Sequence, residues 1–367
     1  MPKRAAEPRL FAVAGRLLFA LIAASGALFV AELVSRRLAP ARSPLEQLYQ
    51  VRRVRMPRPY SMFAGQPGAP GLNALGYRGA VPAMPKPAGE VRLFFLGGST
   101  VFRGLPPIAQ LVEARLRQAG HDGVRCYNFG VVSSVSGMEL ARLLFELVGL
   151  APDVVVMYNG GNDILVPHNW DPRPGYPFNF VAYERNPILD SELGDYPAVA
   201  LALYGSNLAR HVSPDYFLGT FVDLDGLRDE VGYGTAAWEA EIADTYVGNL
   251  ASAARISDAF GADFIAFFQP MIEFKHSLAD TEQRFAAADR SARVRRVRDL
   301  IRERVQARGD DELRFVDLSD LFVDETDDVF VDGIHIRQEF KPTVADALVP
   351  SLQTLVVDVL SERRKGL

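Results

Sequence analysis

Beyond residue 90, apolar positions gather into five short, near-continuous runs: 91–96 (VRLFFL), 124–129 (VRCYNF), 153–158 (DVVVMY), 262–268 (ADFIAFF) and 313–318 (LRFVDL). Runs of this length, apolar on both faces, suit strands buried in a parallel sheet. Between them the spacing turns helical, at 108–119, 138–147, 236–260 and 281–308, with a last helical stretch at 339–360. The alternation predicts an α/β domain, and right-handed crossovers restrict it to a doubly wound, flavodoxin-like or Rossmann-like sheet of five parallel strands. One helical stretch is rich in arginine (290–308), but Val294, Val297, Ile301 and Val305 make an apolar stripe within it. A solvated helix face explains those arginines better than a site for an acidic partner.

The start of the chain follows a different pattern. Residues 10–34 read LFAVAGRLLFALIAASGALFVAELV, with Arg16 and Glu32 as the only charges. This segment is hydrophobic all round rather than on one face. Snorkelling of its two charges extends the apolar length to about 20–25 residues, enough to cross the hydrocarbon core of a bilayer. A cleaved signal peptide is the closest competitor, with Lys3, Arg4 and Arg9 as its basic region. Apolar residues continue past the small residues at 23–27, through Leu28, Phe29 and Val30, which favours an uncleaved single-pass anchor. Basic residues flank both ends, so the orientation rests on a short N-terminal tail kept inside, with the bulk of the chain on the periplasmic or extracellular side.

Residues 40–90 are studded with Pro, Gly and Arg and read as a spacer without regular elements. Within it, Tyr77-Arg78 lies between glycines and suits packing on the domain edge. Residues 165–235, rich in Pro, Gly, Asn and aromatics, form an insert of the length expected for a lid or binding element. The organisation expected is thus a tail and transmembrane anchor at 1–39, a spacer at 40–90 and one catalytic domain at 91–367.

Composition narrows the chemistry. With 367 residues, 49% of them hydrophobic, and a net charge of −5, the chain has the means to bury a large core. It makes a poor general polyanion binder, so nucleic acid is not expected as a partner. The single cysteine, Cys126, excludes an intramolecular disulfide framework and multi-cysteine zinc sites. No metal-ligand spacing and no phosphate loop occur, and neither metal nor cofactor is expected.

In doubly wound sheets, ligands bind beyond the C-terminal ends of the strands. The first strand is followed by Gly97-Gly98-Ser99-Thr100, the second ends in Asn128-Phe129-Gly130, and the third leads into Asn159-Gly160-Gly161-Asn162-Asp163. After the fifth comes Asp332-Gly333-Ile334-His335. One rim therefore gathers a hydroxyl, a glycine amide, a carboxamide and an Asp–His pair, the parts needed for acyl transfer by a serine nucleophile. Ser99 is the expected nucleophile, His335 the base, and Asp332 the group that fixes its tautomer. The N–H groups of Ser99 and Gly130 and the amide of Asn162 are the expected oxyanion donors. Gly98, Arg103, Asp163 and His168 are candidate substrate contacts. Taken singly, each part has a plain structural reading: a serine N-cap, a turn-forming Asn-Asp, a surface histidine. Their occurrence together on one rim carries the catalytic reading.

This set of blocks resembles the SGNH (GDSL-like) hydrolase family, through LGGST, NFG, NGGND and DGIH in family order. A membrane-tethered bacterial subgroup with LGGST and an upstream glycine–aromatic–arginine–glycine motif is the most similar part of it. Two departures stand out: Gly98 replaces the aspartate of GDS, and Ser133 and Ser134 stand where a second glycine would follow Gly130. The resemblance implies a carboxylic ester hydrolase working through an acyl-enzyme on an acylated small molecule, lipid or glycan. An O-acyltransferase modifying a polysaccharide would use the same site. A non-catalytic glycan-binding or assembly protein would have no need to keep all the parts together.

Overall fold

The computed structural model describes residues 7–41, 55–185, 198–212, 222–286, 288–309 and 313–365. It divides into two units, Met1–Val51 with Val181–Asp223, and Arg52–Phe180 with Leu224–Leu367.

In the smaller unit, α1 (Glu7–Leu38) includes an apolar stretch, Ala12–Leu38, long and apolar enough to cross a membrane. Leu17, Phe19, Leu21 and Phe29 stand exposed around it, as the unbroken apolar pattern requires. Near its end, Glu32 accepts hydrogen bonds from the N–H groups of Asn207 (2.7 Å) and Leu208 (2.9 Å) and from the Ser206 hydroxyl (2.8 Å). These donors open the short helix Asn207–Val212, so the carboxylate sits at the positive end of that helix. Asn207 returns the contact by accepting from Ala41 N–H at 2.6 Å.

The larger unit begins with a hairpin, β1 (Arg55–Arg58) and β2 (Met62–Gly65), inside the stretch expected to lack regular elements. Tyr60 and Met62 adopt positive φ (66° and 65°), an uncommon backbone for such residues, and Phe63 and Ala64 are buried. The sheet and its helices follow: β3 (Val91–Gly97), α2 (Ser99–Phe102), α3 (Ile108–Gln118), β4 (Val124–Asn128), α4 (Ser136–Arg142), β5 (Val154–Asn159), α5 (Gly161–Asn169), α6 (Ala236–Ala259), β6 (Asp263–Phe268), α7 (Ala288–Arg308), β7 (Phe315–Asp317) and α8 (Lys341–Lys365).

The strands lie in the order β4-β3-β5-β6-β7, all parallel, with the first two crossed over. This is the doubly wound, flavodoxin-like order that the alternation predicts. Every residue of β3 and β5 is buried, as both-face apolar runs demand. On one face Leu93 and Phe95 pack with Val112 and Leu116 of α3 and Leu348 and Leu352 of α8. The helix predicted over 138–147 ends as α4 and continues as a π-helical turn, Leu143–Leu147. In α7 the stripe residues Val294, Val297 and Ile301 are fully buried, and Arg296, Arg302 and Arg304 pair with Glu239, Asp317 and Asp244. The described part of the 165–235 region holds the end of α5 and the short helices Phe180–Glu184, Ala198–Gly205, Asn207–Val212 and Leu224–Glu230, with turns and irregular chain at 170–179 and 231–235.

Candidate active site

The parallel strands deliver the loop after β3, the turn after β4 and the start of α5 to one edge of the sheet. β3 ends at Gly97, Gly98 caps the next helix, and Ser99 opens α2. Ser99 is only 3% exposed, and its Oγ lies 2.6 Å from His335 Nε2. His335 Nδ1 in turn lies 2.6 Å from Asp332 Oδ2. The other carboxylate oxygen, Oδ1, accepts from the N–H groups of Ile334 (3.0 Å) and His335 (2.9 Å), which closes the DGIH turn on itself. Burial of Asp332 opposes its ionisation, but the His335 side chain and the two N–H groups outweigh it and hold the carboxyl below its ordinary value. An ionised Asp332 on Nδ1 puts the imidazole proton there and leaves the Nε2 lone pair facing the serine hydroxyl.

The His335 loop has a support that the sequence did not signal. Glu282 Oε1 accepts from Val329 N–H (2.9 Å) and Phe330 N–H (2.8 Å), while Oε2 accepts from the buried Lys275 ammonium at 2.6 Å. Both side chains are essentially inaccessible, so removing one would strand the other's charge.

Asn162 stands in the first turn of α5 and donates through Nδ2 to the carbonyl of Ser134 at 2.7 Å. That leaves its second amide hydrogen for another acceptor. A Cβ built on Gly98 would fall 2.4 Å from Asn162 Nδ2. Glycine at position 98, where the resembled family carries aspartate, is therefore what lets the carboxamide approach the nucleophile turn. Gly130 behaves differently from the expectation of a free donor: its N–H donates to Asn128 Oδ1 at 3.0 Å. A Cβ there would meet Phe102 N at 2.6 Å, so this glycine serves the close packing of its turn on α2. Ser133, in the same turn, takes a positive φ of 63°.

The structure does not bring the remaining candidates onto Ser99 and His335. Asp163 is buried and accepts at Oδ1 from Ser136 N–H (2.9 Å) and its hydroxyl (2.5 Å). Burial raises its carboxyl to about 6 despite those bonds. His168 is also buried: its Nδ1 lies 2.7 Å from the carbonyl of Ile164 and its ring meets Trp238 edge-on at 4.9 Å. Burial, chiefly, lowers its pKa, as for a core histidine. Arg103 is exposed, and its N–H closes α2 onto Ser99 O at 2.8 Å.

Behind the rim lies a buried polar cluster that sequence patterning did not reveal. Arg142 Nη2 donates to Ser134 Oγ at 3.0 Å, Asn159 Nδ2 donates to Glu139, and Tyr246 donates to Asn159 Oδ1 at 2.8 Å. Burial raises the Glu139 carboxyl to about 8; Arg142 opposes the shift and Asp163 adds to it. The cluster is tied to Asn162 through Ser134, whose hydroxyl and carbonyl accept from Arg142 and Asn162.

No protein-family model and no curated protein matches the sequence. Among solved structures, the chain is similar to an acetyl xylan esterase at 13% identity, over 71% of this chain and 99% of that one, with a TM-score of 0.41. It is similar to a catalytic mutant of an acetylxylan esterase from Geobacillus stearothermophilus at 14% identity, over 71% and 93% of the two chains, with a TM-score of 0.41. A GDSL-like lipase from Bacteroides thetaiotaomicron is 16% identical over 74% and 91%, with a TM-score of 0.38. Acetyl xylan esterases and a GDSL-like lipase are thus among the solved structures that this chain is similar to.

Proposed function

We propose that this protein is a membrane-anchored serine hydrolase of the SGNH (GDSL-like) kind, cleaving carboxylic esters through an acyl-enzyme. The observation that carries this reading is the unbroken chain Ser99 Oγ–His335 Nε2, His335 Nδ1–Asp332 Oδ2, with 2.6 Å at each link. Nucleophile and base within hydrogen-bond reach, with a third group orienting the base, is the arrangement that activates a serine. His335 takes the hydroxyl proton as Ser99 Oγ attacks the acyl carbon. The imidazolium, stabilised by Asp332, then protonates the leaving alkoxide. In the second half His335 draws a proton from water, and hydroxide attack releases the acid and Ser99. The developing oxyanion is met by the Ser99 N–H, in a first helical turn that has no intrahelical acceptor for it, and by the second amide hydrogen of Asn162. Gly130 joins them only if its N–H turns away from Asn128.

α1 supplies the anchor, and the catalytic unit lies on the extracytoplasmic side. The substrate is an acylated small molecule, lipid or glycan. The test uses the full chain in detergent with a fluorophosphonate probe and p-nitrophenyl acetate. Labelling and turnover are expected in the wild type and absent in Ser99→Ala. Labelling that survives in Ser99→Ala would sink the assignment. Added sugar acceptors separate hydrolysis from acyl transfer, since a transferase accumulates acyl-sugar instead of free acid. Reporter fusions at the C-terminus test the orientation.

A further inference from the structure

Ser99 opens a helix of only four residues, too short to hold its own shape. The far end of that helix is held from outside. Arg78 Nη1 donates to Phe102 O (2.7 Å) and to Gly104 O (3.0 Å), and its guanidinium lies over the Phe102 ring at 5.5 Å from the centroid. Lys341, the first residue of α8, donates to Arg103 O at 2.5 Å. Three consecutive carbonyls, of residues 102, 103 and 104, are thus gripped by two cations, one from 24 residues before Phe102 and one from 238 residues after Arg103. Positive charge at a helix C-terminus also complements the helix dipole.

The grip has a cost. Lys341 is nearly buried, and burial together with Arg78 and Arg103 lowers its pKa to about 8. Packing repelling cations around one turn needs a compensating interaction, and the three carbonyls supply it. The residues just before Arg78 pack into the domain, and the aromatic ring of Tyr77 holds its place there without need of its hydroxyl. Tyr77 is buried, donates to Glu146 Oε2 at 2.7 Å and packs edge-on against Phe129 at 5.0 Å. Gly76 has φ 85°, and a Cβ there would fall 2.2 Å from Gly65 O in β2. The segment that reads as a spacer therefore runs from the hairpin to the nucleophile helix without slack.

We propose that Arg78, seconded by Lys341, is a positioning residue that aims Ser99 Oγ by fixing the carbonyl end of α2. This rests on the reading of Ser99 as nucleophile. The hydroxyl must lie on the line between His335 Nε2 and the acyl carbon. Without the grip, the short helix can rotate or fray.

The test compares Arg78→Ala, Arg78→Lys and Tyr77→Phe in the full chain, with kcat and KM, the rate of fluorophosphonate labelling, and the melting temperature. A misplacement of the nucleophile by about 1 Å costs roughly 100-fold, so Arg78→Ala should lower kcat and labelling about 30- to 100-fold while leaving KM nearly unchanged. Arg78→Lys should recover part of the loss, because an ammonium can hold one of the two carbonyls. Tyr77→Phe removes a buried hydrogen bond in the same segment; it should lower the melting temperature without a matching loss of kcat. The proposal is overturned if Tyr77→Phe, at an equal drop in melting temperature, loses as much kcat as Arg78→Ala. It is overturned as well if Arg78→Lys is no better than Arg78→Ala. Should Arg78→Ala fail to fold, a wild-type kcat in Arg78→Lys alone refutes it. Labelling that persists in Ser99→Ala would remove the underlying reading, whereas a silent Ser99→Ala beside a fully active Arg78→Ala removes only the positioning role.

Discussion

Replacing Asp332 by asparagine tests the proton path more sharply than deleting it. Oδ1 of Asp332 accepts two backbone N–H groups, from Ile334 at 3.0 Å and His335 at 2.9 Å. Only the carbonyl oxygen of an asparagine can take that place, so its NH2 must face His335 Nδ1, where Oδ2 now sits at 2.6 Å. Facing a donor, Nδ1 becomes an acceptor and the ring proton moves to Nε2. Nε2 then donates toward Ser99 and cannot take the serine proton. The wrong tautomer in a serine triad lowers kcat by about 10⁴, or ~5.5 kcal/mol at 1.36 kcal/mol per tenfold. Turnover of p-nitrophenyl acetate and the rate of fluorophosphonate labelling should fall together, with KM little changed.

The pH dependence adds a second check on the same variant. Because the folded pKa of Asp332 is depressed, its stabilising contribution is present above the unfolded value and lost only as pH falls through the lower folded one. Melting curves of the wild type should therefore lose this contribution only below the ordinary carboxylate range, and Asp332→Asn, with no carboxyl there, should show no such loss. A variant with kcat within tenfold of wild type would refute the tautomer argument.

Two further outcomes follow from the packing around the site. In Gly98→Ala the new Cβ would lie 2.4 Å from Asn162 Nδ2, so the carboxamide must move away; losing one oxyanion donor costs ~2.7–4 kcal/mol, and a folded Gly98→Ala with wild-type kcat would refute that role. Glu139, with its folded pKa raised to about 8 from 4.5, contributes stability that is full below the unfolded value and lost as pH rises through the folded one. Between those limits the loss runs at about 1.4 kcal/mol per pH unit, so melting curves of Glu139→Gln should depend less on pH than those of wild type; parallel slopes would refute the assignment.

The strands were legible because their runs are mostly apolar, and the central β3 and β5 are indeed buried at every position, whereas the edge strands β4 and β7 are partly exposed. Ser99, Asn162, Asp332 and His335 were legible because strand ends in a parallel sheet point to one edge. The supports were not legible. Tyr77-Arg78 was marked only for packing on the domain edge, because the acceptors of Arg78 are backbone carbonyls, which leave no mark on side-chain patterning. Lys341 begins an ordinary amphipathic helix, and Glu282 works through two N–H groups of a distant loop. Asp163 and His168 looked available for substrate because they are polar, yet both are buried in the core, where Asp163 Oδ1 accepts from Ser136 and His168 Nδ1 meets the carbonyl of Ile164. The hairpin was hidden by positive φ at Tyr60 and Met62, where glycine or asparagine would be the usual signal.

The distance along the chain between Ser99 and His335, 236 residues, has a consequence for biosynthesis. A ribosome adding about 5–20 residues per second delivers the imidazole roughly 10–50 seconds after the hydroxyl. Lys341 follows six positions later still. Throughout that interval the nascent chain carries a serine with no base and a helix with only one of its two clamps. On the proposed reading, ester cleavage begins only once residues 332–341 have been made and folded onto the serine, and a chain terminated before them is inert rather than a weak, unregulated esterase.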